Sequence, residues 1–155
     1  MCNENKLART CIIIPCYNES ACIGAVIDEL TEATAEAEIV VINDGSSDST
    51  FETAKRSGKA TVIDLPINLG VGGAVQTGLK YAFKCSKDFA IKVDGDGQHD
   101  PTCISKLLQP LLTDQADIVV GSRFLQESSG FKSTIWRRVG IKFFQFLCKS
   151  LTGQR

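Results

Sequence analysis

Short apolar segments alternate with amphipathic segments from residue 10 to about residue 121, and this alternation constrains the fold more than any other feature. The apolar segments are predicted to form strands at 10–14, 38–42, 60–65, 89–93 and 116–121. They are apolar almost throughout, as is typical of strands buried on both faces of a parallel sheet. The sequence therefore predicts an α/β domain with a mostly parallel central sheet and helices on both faces.

Helix boundaries are predicted from capping and helix-breaking residues. Ser20 is a candidate N-cap for the first helix, because a short polar side chain can accept hydrogen bonds from the first backbone N–H groups. The third helix is expected to begin at about Gly73. Asp100 followed by Pro101 indicates a fourth helix, which Pro110 should end or kink.

The composition suits one domain and a distinct C-terminal segment. The chain has 155 residues, of which 43% are hydrophobic, and its net charge of -1 argues against nucleic acid as a partner. Residues 128–155 contain basic but no acidic side chains, whereas the preceding residues are acidic overall. We therefore predict a domain at 1–127 and a basic segment at 128–155.

The seven cysteines predict neither a disulfide framework nor a zinc site. Their number is odd, no Cys-x-x-Cys spacing occurs, and Cys11, Cys16 and Cys103 lie in apolar segments. No signal peptide opens the chain, and no apolar run is long enough to span a bilayer. These features predict a cytoplasmic protein with reduced thiols.

A loop in which acidic residues alternate with glycines follows the fourth predicted strand. In Asp94-Gly95-Asp96-Gly97-Gln98, oxygen-bearing side chains recur at every second position, which places them on one side of an extended backbone. Carboxylate and amide oxygens are hard ligands suited to Mg²⁺ or Mn²⁺. A calcium loop of the helix–loop–helix type is excluded, because a strand precedes this loop. The loop therefore predicts a divalent metal site that nucleotide phosphates would complete.

Polar clusters also follow the other predicted strands, at the edge of the sheet where open α/β folds bind ligands. Asp44 can accept a hydrogen bond from a ring nitrogen of a nucleobase, Tyr17 can pack against the base or ribose, and Arg123 can bind a phosphate. Taken alone, each cluster could equally be a turn, a helix cap or a surface group. The candidate residues are Pro15, Tyr17, Asn18, Glu19, Asp44, Asn68, Gly70, Ser122 and Arg123.

Together these clusters resemble the family-2 inverting glycosyltransferases with the GT-A fold, in particular the branch of dolichyl-phosphate mannose synthase and polyprenyl-phosphate glycosyltransferases. The matching stretches are IIIPCYNE, VVINDGSSDST, NLGVGGAVQTGLKYA, KVDGDGQHDP and IVVGSRF, in family order between residues 12 and 124. The resemblance implies a Rossmann-like GT-A fold and metal-dependent transfer, with inversion, of a sugar to a polyisoprenyl phosphate. The donor would be a nucleotide sugar of the GDP-mannose or UDP-glucose type.

The same resemblance implies a role for each candidate residue. The metal and catalytic residues would be Asp94, Asp96 and Gln98, and the acceptor phosphate would meet Ser122 and Arg123. The nucleotide would be bound by Pro15, Tyr17, Asn18, Glu19, Asp44, Asn68, Gly70 and Asp94.

Two features depart from the family pattern. Asn43 stands where the family usually has the first aspartate of Asp-Asp-Gly-Ser. The family's later acceptor-side segment, with an aspartate and a Gly-Phe-Arg motif, does not occur before Arg155. Residues 128–155 are therefore interpreted as the start of a truncated acceptor-side region. A catalytically incomplete nucleotide-sugar-binding module stays an alternative.

Two further alternatives stay open. A dinucleotide-dependent oxidoreductase would account for the glycines after Asn68, although Val75 occupies the place of the last glycine of that fingerprint. A sugar-nucleotide-forming nucleotidyltransferase shares the layout, but its glycine- and arginine-rich opening motif is missing from residues 12–19.

Residues 134–151 are predicted to form a basic amphipathic helix. Apolar residues such as Trp136 and Phe143 recur at helical spacing, and Arg137 and Lys142 add positive charge without nearby acids. Such a helix could lie in the interface of an anionic membrane or dock on the domain's own core. The first possibility predicts a peripheral membrane protein.

Overall fold

The structure, a computed structural model, describes residues 7–122. The chain divides into two compact units, Met1–Asp117 and Ile118–Arg155. Of the second unit, residues 118–122 are described, and they form neither helix nor strand. The predicted boundary between residues 127 and 128, Arg123 and the predicted helix at 134–151 lie outside the described residues.

The first unit is built on a four-stranded parallel sheet with the strand order β3-β2-β1-β4. The strands are β1 (Thr10–Cys16), β2 (Glu38–Asn43), β3 (Thr61–Asp64) and β4 (Phe89–Lys92). The helices between and after them are α1 (Ile23–Ala33), α2 (Thr50–Ser57), α3 (Gly70–Lys84) and α4 (Ile104–Leu112), and a short 3-10 helix, Pro101–Cys103, precedes α4.

Helices cover both faces of the sheet, which confirms the predicted α/β architecture. Side chains alternate along β1, which is buried over its whole length. Ile12 and Ile14 pack with residues of α1, α2 and α4 on one face, whereas Cys11 and Ile13 pack with Ala74 of α3 on the other. Because apolar side chains cover both faces of β1, the sequence of this strand does not alternate between apolar and polar residues.

β1, β2 and β3 end level with one another at one edge of the sheet, and β4 ends beside Ile13 of β1. Cys16 pairs with Asn43 across β1 and β2, and Asn43 pairs with Asp64 across β2 and β3. The Val93 N–H donates to the Ile13 carbonyl oxygen over 3.0 Å, so the loop after β4 leaves at the same edge. The polar segments that follow the strands are therefore brought together.

The prediction of a fifth strand at 116–121 is wrong for the described structure. Residues 116–121 pair with no strand among residues 7–122, and Ile118 and Val120 are 82% and 80% exposed. An apolar run becomes a strand only where another strand accepts its backbone hydrogen bonds, and sequence propensity does not supply that partner.

Several predicted helix boundaries also differ from the observed ones. α1 begins at Ile23 rather than after Ser20, whose N–H donates to Asp48 Oδ2 over 3.2 Å. α3 begins at Gly70, three residues earlier than predicted. Asp100 accepts a hydrogen bond from the Thr102 N–H over 2.9 Å, as a cap should, and α4 continues past Pro110 to Leu112.

Candidate nucleotide and metal site

An open cavity of about 240 Å³ lies at the carboxyl edge of the sheet. Six of the predicted site residues line it, and three residues that the sequence analysis did not select complete the lining. The six are Pro15, Tyr17, Glu19, Asp44, Asp94 and Asp96, and the three are Cys16, Val71 and Ala74. The fold therefore brings the ends of β1, β2 and β4, with the loops that follow them, and the first turns of α3 to one site.

The loops after β1 and β2 are joined by hydrogen bonds in both directions. The Asn18 N–H donates to Ser46 Oγ over 3.0 Å, and the Ser47 N–H donates to Asn18 Oδ1 over 2.9 Å. Asn18 adopts a φ of 56°, in the left-handed region that asparagine tolerates better than most residues. Asn18 is not among the residues that line the cavity, so these contacts give it a structural role, and its nucleotide contact stays a prediction.

Asp48 and Thr50 hold the next residues of the same loops. The Glu19 N–H donates to Thr50 Oγ1 over 2.8 Å, and the Thr50 N–H donates to Asp48 Oδ1 over 3.0 Å. Hydrogen bonds from the Thr50 hydroxyl, from Ser20 and from backbone groups lower the pKa of Asp48 to about 2. The Asp48 carboxylate therefore stays ionised and fixes the position of Glu19 through Thr50.

Glu19 carries its carboxylate into a crowded, acidic part of the site. Its Oε2 atom is buried and accepts no hydrogen bond within residues 7–122. A Cβ atom on Gly95 would lie 2.0 Å from Glu19 Oε2 and 2.6 Å from Cys16 Sγ, so the glycine backbone packs directly on both groups. Burial raises the pKa of Glu19, the nearby carboxylates of Asp96 and Asp94 raise it further, and a contact with the Cys16 thiol lowers it.

Cys16 is a buried thiol beneath this carboxylate. It is 2% exposed, and its Sγ lies 3.6 Å from the Ile14 carbonyl oxygen, to which it donates. Burial and the adjacent Glu19 raise the pKa of Cys16 well above its usual range. The thiol is therefore protonated and unreactive.

Asp44 lies deeper in the cavity, where it is 3% exposed. Its backbone N–H donates to the Cys16 carbonyl oxygen over 2.8 Å, and its Oδ1 accepts a hydrogen bond from the Leu69 N–H over 2.7 Å. Asp44 therefore joins β1, β2 and the loop before α3. The contact with Leu69 was not predictable from spacing, because the two residues are distant in the sequence.

Asn68 and Gly70 form the start of α3 rather than the cavity lining. Asn68 Oδ1 accepts a hydrogen bond from the Gly70 N–H over 2.8 Å, and Gly70 has a φ of +77°. Neither residue is among those that line the cavity. Their predicted contact with the nucleotide stays a prediction.

The loop after β4 carries two carboxylates at the cavity. The Asp94 side chain is paired with Lys92, and His99 Nε2 lies 3.7 Å from Asp94 Oδ2. The Asp94 N–H donates to His99 Nδ1 over 3.1 Å, and the Gln98 N–H donates to Asp96 Oδ1 over 3.0 Å. Lys92 was not predicted as a partner of Asp94, because the prediction for this loop concerned only side chains whose oxygens can bind a metal.

The donor set fits one side of a divalent metal site. Asp94 and Asp96 both line the cavity, and carboxylates are the protein ligands that Mg²⁺ and Mn²⁺ usually take together with phosphate oxygens and water. Within residues 7–122, no three His, Cys, Asp or Glu side chains are grouped closely enough to form a complete site. Gln98 is not among the residues that line the cavity, and its part in metal binding stays a prediction.

The predicted acceptor residues are not placed relative to this cavity. Ser122 is described as an exposed residue of the second unit, and Arg123 lies outside the described residues. In the described part of the chain, no helix has the length and apolar character needed to cross a membrane.

Asn43, which stands where the family usually has an aspartate, lies beside the acidic side chain of Asp64 on β3. Asn43 Nδ2 donates to Asp64 Oδ1 over 2.6 Å, and Asn43 Oδ1 is buried and accepts no hydrogen bond within the described residues. An aspartate at position 43 would offer no hydrogen to Asp64. The asparagine is therefore matched to its neighbour on β3.

Replacing Asn43 with aspartate should lower the free energy of unfolding at pH 7 by about 1 kcal/mol, because two carboxylates would face each other across β2 and β3. Urea unfolding measures this difference. The double variant Asn43→Asp with Asp64→Asn is the control, since an amide at position 64 can again donate to a carboxylate at 43. The account is contradicted if the single variant is as stable as the native chain, or if the second change recovers nothing.

Val71 and Ala74 were missed because the sequence analysis searched for polar groups. They stand three residues apart on the first turns of α3, which places them on one face of the helix. Apolar residues at helical spacing directly after a strand-exit loop are the signal that could have identified them. With Pro15 and Tyr17 they supply apolar lining of the cavity.

Comparison with known proteins gives a family and a set of relatives. The family described as Glycosyl transferase family 2 matches residues 11–152. A UDP-N-acetylglucosamine–dolichyl-phosphate N-acetylglucosaminyltransferase from Methanococcus voltae is 34% identical over 88% of this chain and 61% of its own length. An undecaprenyl-phosphate mannosyltransferase from Micrococcus luteus is 31% identical over 74% of this chain and 48% of its own length.

Solved structures agree with the fold. Glucosyl-3-phosphoglycerate synthase from Mycobacterium tuberculosis, in complex with Mn²⁺, UDP and glucosyl-3-phosphoglycerate, has a TM-score of 0.58 at 30% identity, over 70% of this chain and 42% of that one. A mannosyltransferase from Pyrobaculum calidifontis, in complex with GDP-Man and Mn²⁺, has a TM-score of 0.52 at 26% identity, over 57% of this chain and 27% of that one. The predicted GT-A fold is confirmed. The chain spans about three fifths of the length of the first of its curated relatives.

Proposed function

This chain belongs to glycosyl transferase family 2, and we propose that it binds a nucleotide-sugar donor in the cavity and transfers the sugar, with inversion, to a polyisoprenyl phosphate. The observation that carries the proposal is the convergence of Tyr17, Glu19, Asp44, Asp94 and Asp96 on one cavity. Relatives named for transfer to dolichyl and undecaprenyl phosphate support the choice of acceptor.

The donor would occupy the cavity with its base toward the buried end and its diphosphate toward the acidic loop. Asp44 is buried and can accept a hydrogen bond from a base, whereas Tyr17 is 49% exposed and can cover the base or ribose. Asp94, Asp96 and Gln98 would hold Mg²⁺ or Mn²⁺. When bound, such an ion stabilises the negative charge that develops on the leaving diphosphate.

The acceptor needs little help from a protein base. A lipid phosphate is already an anion near neutral pH, so its oxygen can form the bond to the anomeric carbon as the bond to the diphosphate breaks. We propose that Ser122 and Arg123 contact this phosphate. We also propose that residues 134–151 bring the protein to the cytoplasmic membrane surface, where the lipid lies.

Replacing Asp96 with asparagine should weaken the binding of UDP or GDP in the presence of Mn²⁺ by about tenfold or more, because one charged metal ligand is lost. Titration calorimetry with and without Mn²⁺ measures the effect. Asp114→Asn is the matched control, since Asp114 is exposed, lies outside the cavity lining and has a φ of 54° that asparagine tolerates. Failure of both nucleotides to bind, or equal binding by the two variants, would count against the proposal.

The same preparation separates the alternatives. An oxidoreductase should bind NAD without metal and should ignore the Asp96 change. A nucleotide-sugar-binding module should bind UDP or GDP with Mn²⁺ yet transfer no sugar to a polyisoprenyl phosphate in detergent micelles. Transfer that requires both metal and Asp96 would support the full proposal.

A further inference from the structure

Lys92 brings a positive charge to the acidic end of the cavity. It is the last residue of β4 and stands two positions before Asp94, with which its ammonium group forms an ion pair. The carboxylates of Glu19 and Asp96 belong to the same cavity. In the part of the chain that the structure describes, no lysine or arginine other than Lys92 is paired with any of these three acids. The positive charge of Lys92 therefore stands where a divalent cation is proposed to bind.

His99 also contacts Asp94, but it contributes position rather than charge. The Asp94 backbone N–H donates to His99 Nδ1 over 3.1 Å, whereas His99 Nε2 lies 3.7 Å from Asp94 Oδ2, which is too far for a hydrogen bond. A ring nitrogen that accepts a hydrogen bond carries no hydrogen, so the imidazole is neutral in this arrangement. The ring therefore fixes the backbone of Asp94, and Lys92 supplies the charge that its carboxylate meets.

The ion pair between Lys92 and Asp94 is accessible enough for either side chain to change its partner. The two side chains are 40% and 36% exposed, so water can hydrate both groups when they separate. An exposed ion pair is weak and typically changes an equilibrium by about fivefold or less. A divalent cation carries twice the charge of an ammonium group and binds carboxylate oxygens directly, so it can replace Lys92 at Asp94.

A lysine displaced from Asp94 stays close to the phosphates that a nucleotide brings to the cation. The backbone of Lys92 is held in the sheet, where it pairs with Ile13 of β1, and its long side chain is flexible. An ammonium group binds phosphate oxygens as a point charge, without a fixed geometry. The diphosphate of a nucleotide bound beside Asp94 and Asp96 is therefore a second partner within reach of Lys92.

We infer that Lys92 is a counter-ion that exchanges partners, pairing with Asp94 while no metal is bound and with the donor diphosphate once a divalent cation occupies Asp94 and Asp96. Lys92 thereby disfavours binding of the cation alone and favours binding of the cation together with the nucleotide, which couples the two ligands. This inference rests on the proposed function, because it concerns the metal and the diphosphate that the cavity is proposed to bind.

Lys92→Gln tests the first half of the inference through the binding of Mn²⁺ alone. The variant should bind Mn²⁺ about three- to fivefold more tightly than the native chain, because the cation no longer competes with an ammonium group. The electron paramagnetic resonance signal of free Mn²⁺ measures this affinity without any turnover. Lys92→Arg, which keeps the charge, and Lys84→Gln, which removes an exposed charge at the end of α3, should bind Mn²⁺ no more tightly than the native chain.

The second half is tested by calorimetry with UDP and GDP, using whichever nucleotide the native chain binds with Mn²⁺. At saturating Mn²⁺, Lys92→Gln should bind this nucleotide about fivefold more weakly than the native chain, since a contact between an ammonium group and a phosphate is lost. In buffer with a chelator the two chains should not differ, because Lys92 then remains paired with Asp94. Urea unfolding curves establish that each variant is folded.

The outcomes separate the inference from the proposal on which it rests. Equal affinity for Mn²⁺ in the native chain and Lys92→Gln, or an equal gain in Lys84→Gln, overturns the competition at Asp94 and leaves the proposed glycosyltransferase intact. Nucleotide binding with Mn²⁺ that Lys92→Gln does not weaken, or weakens equally in chelator, overturns the exchange of partners. If the native chain binds neither nucleotide with Mn²⁺, both the inference and the proposed function fail.

Discussion

Replacing Gly45 with alanine should lower the free energy of unfolding by about 3 kcal/mol, the sum of a left-handed backbone and an overpacked contact. Gly45 has a φ of +66°, and a Cβ atom there would lie 2.7 Å from the Asn68 backbone nitrogen and 2.8 Å from the Ile67 carbonyl carbon. Both neighbours are backbone atoms, so no side-chain rotation relieves the contact. Urea denaturation at pH 7 measures the loss.

Gly58→Ala isolates the backbone part of this effect. Gly58 has the same φ of +66°, at the C-terminal end of α2, and nothing lies within 4 Å of the position of its missing Cβ. Its replacement should cost about 1 kcal/mol, the penalty of the left-handed conformation alone. Equal losses in the two variants would show that the loops after β2 and β3 are not in close contact.

The same comparison has a functional consequence. Gly45 adjoins Asp44, and the segment that an alanine would displace leads directly to Leu69, whose N–H donates to Asp44 Oδ1. Gly45→Ala should therefore weaken UDP binding, whereas Gly58→Ala should leave it unchanged. The close approach of two loops would then be required both for stability and for the orientation of the proposed base-binding carboxylate.

The sheet was predictable because its strands carry their own signal. β1 is buried from Thr10 to Cys16, and a strand buried on both faces is apolar at nearly every position. The segment at 116–121 is also largely apolar and yet forms no strand among the described residues. Hydrophobicity shows that a segment avoids water, but pairing depends on a neighbour that the segment itself does not encode.

The predicted first residues of the helices were wrong for a related reason. Ser20 is a residue type that favours the N-cap position, but its backbone N–H donates to Asp48 in the loop after β2, and α1 begins three residues later. Contacts between loops distant in the sequence decide these boundaries. Capping rules treat each helix as isolated, so they identified the helices and misplaced their first turns.

The sequence predicted several of the residues that line the candidate site, but not the contacts between them. Oxygen-bearing residues at strand ends had to meet at one edge of a parallel sheet, and Asp44, Asp94 and Asp96 do line one cavity. The sequence could not show that Leu69 occupies one oxygen of Asp44, or that Gly95 packs on Glu19. Those facts depend on the distances between loops, and the predictions about ligand binding and stability rest on them.

Replacing Glu19 with glutamine should raise the free energy of unfolding of the metal-free chain by about 2 kcal/mol at pH 8, because a buried oxygen without a hydrogen-bond donor then no longer bears charge. Burial and the carboxylates of Asp96, Asp94 and Asp48 raise the pKa of Glu19. The folded state therefore binds this proton more tightly than the unfolded state does. The free energy of unfolding therefore falls as the pH rises from the ordinary pKa of a glutamate to the raised pKa of Glu19 in the folded state.

The gain in the glutamine variant should consequently depend on pH. It should be smallest at about pH 4, where Glu19 is mostly protonated in both states, and should grow as the pH rises to the folded-state pKa. Urea unfolding in chelator-containing buffer from pH 4 to pH 8 follows this difference. Glu29→Gln is the control, since Glu29 is exposed on α1 and its replacement changes the net charge by the same amount.

A stabilising Glu19→Gln change that also weakens UDP binding with Mn²⁺ would show that the site keeps a destabilising charge for its ligand. The carboxylate is costly without a bound cation because it meets other acids and its buried Oε2 atom accepts no hydrogen bond. A divalent cation bound at Asp94 and Asp96 would relieve that repulsion, so the stability difference should shrink when Mn²⁺ and UDP are added. A gain that is the same at pH 4 and pH 8, or that Glu29→Gln reproduces, would contradict this account of Glu19.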